Sequence, residues 1–116
     1  MKRVLIVNDH EITRRVINLA LTQVPDVIVI GEAENGLDAI SLIEEVQPDV
    51  VVMDFLMPHM DGFEATAHIT NSWPHVKVVI HSRMSLPPHV GKAMGASDVL
   101  RPYDSMKLLQ TAVLNA

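Results

Sequence analysis

The sequence predicts an α/β fold in which a parallel sheet carries helices on both faces, and three observations support this. Five short apolar runs, four of them rich in valine and isoleucine, alternate with stretches of helical periodicity along the whole chain. Four of these runs show little polar alternation, which is typical of strands buried on both faces of a parallel sheet. Repeated strand–helix alternation implies right-handed crossovers, which place helices on both faces of the sheet.

Each strand is predicted from a short apolar run. The five predicted strands are Val4–Val7, Val27–Ile30, Val50–Met53, Val76–Ile80 and Val99–Leu100. The first helix is predicted from one apolar face, formed by Ile12, Val16, Leu19, Ala20 and Gln23. The second helix is predicted from the spacing of Leu37, Ile40, Ile43 and Val46, between the turn signal Asn35-Gly36 and Pro48.

The last three helices are predicted from their boundary residues. The third is expected over 62–73, with Asp61 as its N-cap and Pro74 after its end. Pro87-Pro88 and Gly91 interrupt the fourth, so we expect a short helix from Pro88 to Met94, with a flexible loop as the alternative. The fifth is predicted from Leu108, Leu109, Ala112 and Val113, with Asp104 able to cap its N-terminus.

Length and composition narrow the class of protein. The 116 residues suit a single domain spanning 1–116, and 48% apolar residues are enough for a core. The lack of cysteine excludes disulfides and thiolate chemistry. No apolar run approaches the roughly 18 residues of a membrane span, and the interrupted N-terminus does not resemble a signal peptide. We therefore expect a soluble cytoplasmic protein that is not bound to a membrane.

The net charge of −5 argues against direct binding of nucleic acid, which requires a clustered cationic face. The two basic doublets, Lys2-Arg3 and Arg14-Arg15, are interpreted as solvated ends of a strand or helix.

Polar residues follow the predicted strands. They are Asn8, Asp9 and His10 after the first strand, Asp54 after the third, His81, Ser82 and Arg83 at the fourth, and Arg101 after the fifth. In an open parallel sheet, ligands bind beyond the carboxyl ends of the strands. Two carboxylates, a hydroxyl and a guanidinium at one edge can hold a hard cation and a phosphoryl group. Taken singly, an aspartate that ends a strand is more often a helix cap, and a serine after a strand is usually a turn residue.

Four segments in order, "LIVNDH", "VVVMDFLMPHMDG", "VVIHS" and "VLRPY", resemble the receiver domain of two-component response regulators. The resemblance covers the whole chain, and its most specific part is "DFLMPHMDG", from Asp54 to Gly62. "NDHEITRRVI" and "MDGFEAT" are most similar to receivers attached to LuxR-type helix-turn-helix outputs. The resemblance implies a flavodoxin-like (βα)5 fold, a doubly wound five-stranded parallel sheet of order 2-1-3-4-5, here with a shortened fourth helix.

The resemblance also implies roles for the polar residues at this edge. Asp54 would accept a phosphoryl group from a sensor histidine kinase. Mg²⁺ would be held by Asp9, Asp54 and the backbone carbonyl of Leu56, with Asn8 in the outer shell. Ser82 would be the switch residue, Arg101 would bind the phosphoryl group, and the Arg101–Pro102 peptide would be cis. His10 is interpreted as a cap or packing residue rather than a ligand.

Three positions depart from the family pattern. Asn8 replaces the first acid of an acidic pair, and losing such an outer-shell partner typically weakens metal binding on the order of 10–100-fold. Arg101 replaces a lysine, which changes shape and hydrogen bonding. Asp98 stands where an aromatic residue is usual, and the segment from Ser82 to Arg101 is shortened.

Alternative functions remain open. The first interpretation is a phosphoacceptor domain that is not a classical enzyme. It would control a partner or an output domain beyond residue 116, most simply in transcription, and a homodimer is left open. The second is a pseudo-receiver that binds other proteins independently of phosphorylation. A flavodoxin-like or hydrolytic enzyme is the third, but "NDHEIT" lacks the glycine loop that cradles phosphates.

Overall fold

A computed structural model describes residues 1–57, 60–82 and 87–116, in which five strands alternate with five helices. Arg83, predicted to follow the fourth strand, lies outside the described residues. The strands are β1 (Lys2–Val7), β2 (Val27–Ala33), β3 (Val50–Met53), β4 (Lys77–His81) and β5 (Asp98–Leu100). The helices are α1 (Glu11–Thr22), α2 (Gly36–Val46), α3 (Gly62–Ser72), α4 (Pro88–Ala93) and α5 (Met106–Asn115).

The five strands form one parallel sheet of order β2-β1-β3-β4-β5, so the predicted fold and strand order are confirmed. All four residues of β3 are buried, as are the last four of β1 and of β4. This agrees with the apolar runs of the sequence, because strands covered by helices on both faces need few polar positions.

Two hydrophobic clusters cover the two faces of the sheet. One contains residues of α1 and α5, including Ile17, Leu21 and Leu109. The other contains residues of α2 and α3, including Ile43 and Ile69. The sheet edge formed by the carboxyl ends of the strands is therefore left open between two helical layers.

Helix α1 packs on the sheet through a face that shares only Ala20 with the apolar face predicted. Its buried residues are Ile17, Ala20 and Leu21. Ile12 and Leu19 are 67% and 65% exposed, and Val16 is also exposed. Apolar spacing alone cannot distinguish these two faces, because both follow the period of the helix.

Helix α4 begins at Pro88 as predicted, and its glycine has a packing role. A Cβ at Gly91 would collide with Val99 Cγ2 and lie 3.3 Å from Ile80 Cδ1. The absence of a side chain therefore allows this short helix to lie directly on β5.

Helix α5 is capped by Ser105 rather than Asp104. The Ser105 hydroxyl accepts a hydrogen bond from the Leu108 N–H at 3.3 Å. Asp104 is engaged elsewhere, because its carboxylate accepts from the Arg101 N–H at 2.7 Å. No helix among the described residues is long and apolar enough to cross a membrane.

Candidate functional site

Asp54 lies directly after β3 and is almost completely buried. Its backbone N–H donates to the Val7 carbonyl at 2.9 Å, which fixes it beside the end of β1. Its Oδ1 accepts from the Leu56 N–H at 3.3 Å. The acid is thus held at the carboxyl edge of a central strand, where a parallel sheet presents ligand-binding residues.

Helix α3 closes tightly on the backbone that carries Asp54. The Gly62 N–H donates to the Phe55 carbonyl at 2.8 Å. A Cβ at position 62 would collide with the Asp54 carbonyl oxygen and lie 2.7 Å from Phe55 Cα. The predicted N-cap is confirmed, since the Asp61 carboxylate accepts from the Glu64 N–H at 2.8 Å. Gly62 is therefore required by close approach to the candidate phosphoacceptor.

Asn8 and Asp9 follow β1, which pairs with β3 through Val7 and Met53. Asn8 is buried, and its side-chain oxygen accepts from the His10 N–H at 2.8 Å, as in an Asx turn. Asp9 is exposed. The amide of Asn8 thus has a structural role in this turn, in addition to the outer-shell role predicted for it.

His10 caps α1, as predicted. Its Nδ1 accepts from the Thr13 N–H at 3.3 Å and lies 2.7 Å from the Thr13 hydroxyl. A ring nitrogen committed to the helix N-terminus is consistent with a capping residue rather than a metal ligand.

Arg14 was missed by the sequence interpretation, which treated it as a solvated helix residue. Its side chain is only 12% exposed, and its Nη1 donates to the Asn8 carbonyl at 2.7 Å. The same guanidinium forms ion pairs with Glu32 at 3.2 Å and Glu34 at 3.7 Å. It therefore ties α1 and β2 to the turn after β1. No sequence spacing indicates this contact, which depends on how α1 lies across the sheet.

His81 and Ser82 stand at the end of β4, next to the strand that carries Asp54. Ser82 is fully buried, and His81 is nearly so. Burial lowers the pKa of His81, while Asp54, Asp104 and the histidine's own backbone act in the opposite direction. The predicted switch serine is therefore accompanied by an imidazole that the structure keeps mainly neutral.

Arg101 follows β5, and its side chain is turned to Tyr103. The guanidinium is fully exposed, donates to the Tyr103 hydroxyl at 2.9 Å and lies 5.7 Å from the Tyr103 ring centroid. These contacts with Tyr103 raise the pKa of Arg101. In this conformation, the arginine that is expected to bind the phosphoryl group therefore contacts Tyr103 instead.

The predicted cis peptide before Pro102 is wrong, since no cis peptide bond occurs among the described residues. The Asp104 N–H donates to the Arg101 carbonyl at 3.0 Å, which closes a four-residue turn with Pro102 at its second position. Trans proline is favoured at that position, whereas cis proline occupies the third position of a type VI turn.

The described residues contain no group of three or more His, Asp or Glu side chains that could hold a metal ion. The strand ends that carry Asp9 and Asp54 are adjacent, so two carboxylates and backbone carbonyls are the oxygen donors in reach of one another. This set suits a hard cation that keeps several water ligands, which is the usual coordination of Mg²⁺.

Comparisons with known proteins agree with this geometry. The sequence model of the response regulator receiver domain matches residues 4–112. The chain belongs to this family. The resemblance first seen in short motifs is therefore a property of nearly the whole chain.

Individual relatives support the same assignment. The chain is 38% identical over 113 residues to the chemotaxis protein CheY of Listeria monocytogenes, covering 95% of this chain and 94% of CheY. It is 32% identical over 111 residues to the transcriptional regulatory protein DegU of Brevibacillus brevis, covering 93% of this chain and 47% of DegU. The chain thus spans about half the length of that transcriptional regulator.

The receiver fold is shared with solved structures. The signal receiver domain of the putative response regulator NarL from Mycobacterium tuberculosis superimposes with a TM-score of 0.91 at 30% identity, covering 98% of this chain and 94% of that one. A LuxR-family response regulator from Aurantimonas has a TM-score of 0.91 at 28% identity, covering 99% and 84%. LuxR-type regulators are therefore among the structural neighbours, as the motifs predicted.

Proposed function

We propose that this receiver domain is a phosphorylation switch in which Asp54 accepts a phosphoryl group from a sensor histidine kinase in the cytoplasm. The observation that carries the proposal is the position of Asp54. It is buried at the end of β3, between the strand end that bears Asp9 and the strand end that bears Ser82.

The transfer would be a displacement at phosphorus. An Asp54 carboxylate oxygen attacks the phosphorus of phosphohistidine, an O–P bond forms, and the P–N bond to the imidazole breaks. The leaving imidazole nitrogen keeps the bonding electron pair and takes up a proton. Little covalent chemistry is required of the acceptor protein, whose contribution is positioning and neutralisation of charge.

Mg²⁺ fits the donor set at this edge. The carboxylates of Asp9 and Asp54 and the carbonyl of Leu56 would hold it, with Asn8 reaching a metal-bound water. When bound, the ion supplies positive charge that offsets the repulsion between the acid and the incoming phosphoryl group. The hydrogen bond between Asn8 and the His10 N–H leaves a second lone pair on the Asn8 oxygen for this role.

Ser82 and Arg101 would respond once Asp54 is phosphorylated. The phosphoryl group adds acceptor oxygens that the Ser82 hydroxyl can contact. Arg101 must leave Tyr103 to reach the same group. Phosphorylation would therefore bias an equilibrium between two arrangements of the strand ends.

The exposed apolar face of α1 supports a protein as the phosphoryl donor. Ile12, Val16 and Leu19 form this stripe, which begins one turn after Asp9. Apolar side chains left exposed at helical spacing typically mark a surface that another protein covers. A donor helix laid on the α1 stripe would lie next to the phosphorylation site.

We further propose that the output is transcriptional, through a helix-turn-helix domain outside these residues. DegU is a transcriptional regulatory protein, and LuxR-family regulators are structural neighbours. A pseudo-receiver is the second candidate, because Asn8 and the exposed Arg101 weaken two functions of the phosphorylation site.

Phosphorylation is tested by incubating the chain with acetyl phosphate and Mg²⁺ and measuring its mass. We expect one phosphoryl adduct, lost in Asp54→Asn and retained in Asp26→Asn, an exposed carboxylate at the opposite edge of the sheet. Absence of the adduct from the wild-type chain would leave only the pseudo-receiver.

The donor surface is tested by comparing two phosphoryl donors. Leu19→Ser should slow phosphorylation by a phosphorylated sensor histidine kinase but not by acetyl phosphate. Leu114→Ser, an equivalent change on an exposed residue of α5, should affect neither donor. Equal kinase-dependent rates in both variants would exclude the α1 stripe as the docking surface.

A further inference from the structure

His81 is a buried polar residue that the proposed phosphorylation chemistry does not use. It pairs with Leu100 of β5, and the preceding Ile80 pairs with Met53, the residue before Asp54. Side chains alternate along a strand, so His81 points to the same face as Val79. Val79 and Leu100 belong to the cluster that α5 covers. The imidazole thus lies between the phosphoacceptor strand and the β5–α5 connection.

Neither ring nitrogen of His81 has a hydrogen-bond partner among the described residues, although both are buried. About nine in ten buried polar groups are hydrogen-bonded, and one left without a partner typically costs about 1–3 kcal/mol. An apolar side chain would avoid this cost. The buried imidazole therefore points to a second arrangement in which it gains a partner.

Asp104 is an acceptor placed to provide that partner. His81 pairs with Leu100, and the Asp104 carboxylate is bonded to the N–H of the next residue, Arg101, so Asp104 lies at the connection that His81 faces. In the present conformation the Asp104 carboxylate accepts from the Arg101 N–H at 2.7 Å, and the turn is closed by the hydrogen bond from Asp104 N–H to Arg101 O. One Asp104 oxygen, Oδ2, is thus bonded to the main chain of Arg101, the residue whose side chain must move toward a phosphoryl group.

We propose that His81 is a positioning residue that transmits phosphorylation of Asp54 to the turn Arg101–Asp104. Movement of Arg101 toward the phosphoryl group opens the turn and releases the Asp104 carboxylate. The neutral imidazole then donates a hydrogen bond to Asp104 and holds the turn in its open form. This inference rests on the proposed phosphorylation of Asp54.

The hydrogen bond between His81 and Asp104 would replace a contact between the switch serine and an aromatic residue, which this chain lacks. The position where the family resemblance predicts an aromatic side chain is occupied by Asp98, whose carboxylate accepts from the adjacent Val99 N–H at 2.8 Å. A short polar side chain engaged with its own strand cannot pack between the switch serine and the last helix. His81 lies next to Ser82 and reaches the same connection from β4.

The test uses nuclear magnetic resonance of the wild-type chain with Mg²⁺, before and after adding beryllofluoride, which mimics a phosphoryl group on Asp54. The pH is kept well above the ordinary histidine pKa of about 6.5, so that titration does not contribute. We expect the ring nitrogen resonances of His81 to shift as its hydrogen bond forms, together with the amides from Leu100 to Asp104. Ring resonances that do not move would overturn the proposal.

Variants of His81 distinguish a role in transmitting phosphorylation to the turn from a role in packing alone. His81→Leu should retain the beryllofluoride shifts at Phe55 and Leu56 and lose those at the turn. His81→Gln, which keeps a hydrogen-bond donor, should restore part of the turn response. His75→Leu is the matched control, because His75 is exposed before the opposite end of β4 and should leave both responses unchanged.

The outcomes distinguish the two proposals. A wild-type chain without any response to beryllofluoride would refute the phosphorylation switch and the role of His81 together. A wild-type chain that responds normally, with the same turn shifts in His81→Leu, would refute only the role of His81. If His81→Leu does not fold, Asp104→Ala gives the equivalent test, since it removes the acceptor and should abolish the shift of the His81 ring.

Discussion

The ends of β1 and β3 hold their buried polar residues through main-chain hydrogen bonds, whereas the ends of β4 and β5 do not. Strand β4 ends in a buried imidazole without a hydrogen-bond partner among the described residues, and β5 is followed by an exposed guanidinium. Asp54 is bonded to Val7 and Leu56, and Asn8 shapes the turn before α1. Arg101 is instead folded onto Tyr103. The half of the site edge at the ends of β1 and β3, here called the acceptor half, is preorganised. The half at the ends of β4 and β5, here called the second half, is able to rearrange.

The difference suggests which departures from the family pattern matter most. Asn8 keeps the oxygen that forms the Asx turn, so the acceptor half retains its geometry despite the lost charge. In the second half, Arg101 and Asp98 replace two side chains that the family resemblance predicts, a lysine and an aromatic residue, whereas the switch serine, Ser82, is kept. We infer that the geometry for accepting a phosphoryl group is retained here and that the route of its transmission is altered.

The largest expected effect comes from breaking the preorganised half. Gly62→Ala forces a methyl group against the Asp54 carbonyl, so we expect a loss of about 1–3 kcal/mol in unfolding free energy, the usual cost of overpacking. Phosphorylation of Asp54 should slow markedly. Urea denaturation and the rate of adduct formation with acetyl phosphate measure the two effects.

The matched control is Gly31→Ala in β2. The added methyl there would lie 3.2 Å from Leu42 Cδ2, the end of a flexible side chain that can move. We expect a smaller loss of stability and an unchanged phosphorylation rate. A Gly62→Ala variant that is phosphorylated at the wild-type rate would show that this approach does not position Asp54.

The second prediction restores the missing charge of the acceptor half. Asn8→Asp keeps the turn-forming oxygen and adds a carboxylate to the outer shell, so Mg²⁺ affinity should rise by about 10–100-fold. Calorimetric titration measures this directly. Asn71→Asp adds the same charge to an exposed position on α3 and should leave the affinity unchanged. Equal affinities of Asn8→Asp and wild type would exclude an outer-shell role for position 8.

The third prediction concerns the pH dependence of stability in the second half. Burial lowers the pKa of His81 in the folded state despite the nearby Asp54 and Asp104, so protonation favours the unfolded chain. His81 should therefore contribute no penalty above about pH 6.5 and a growing one as the pH falls below it. Thermal unfolding without metal should show a loss of stability on acidification that is smaller in His81→Leu. Identical pH profiles would contradict this interpretation.

The sequence was sufficient for the fold and for the strand-end positions of the acceptor half, whose role in phosphorylation stays a prediction. Buried strands, caps and the strand-end positions of Asp9 and Asp54 are encoded by local patterns that neighbouring residues determine. The Asp61 and His10 caps are of this kind, because each bonds to a backbone group only three residues away. The metal-binding and switching roles of these residues stay predictions.

Features that depend on tertiary placement could not be predicted in the same way. The exposed apolar stripe of α1 and the partly buried side chain of Arg14 both depend on how the helix is rotated on the sheet. The trans Arg101–Pro102 peptide depends on the turn that Asp104 closes. Family resemblance misled at this point because the turn places Pro102 at a position where the trans peptide is favoured.

The smallest expected effect concerns the contact between Arg101 and Tyr103. Arg101→Lys removes the planar group that contacts the Tyr103 ring and hydroxyl, so less interaction opposes movement toward Asp54. The beryllofluoride concentration at half-saturation, followed by the amides of the turn, should fall by a small factor. Arg15→Lys, which changes an exposed arginine on α1, should leave it unchanged. An equal or higher concentration for Arg101→Lys would mean that Tyr103 does not restrain the resting state and that the turn is held closed by Asp104 alone.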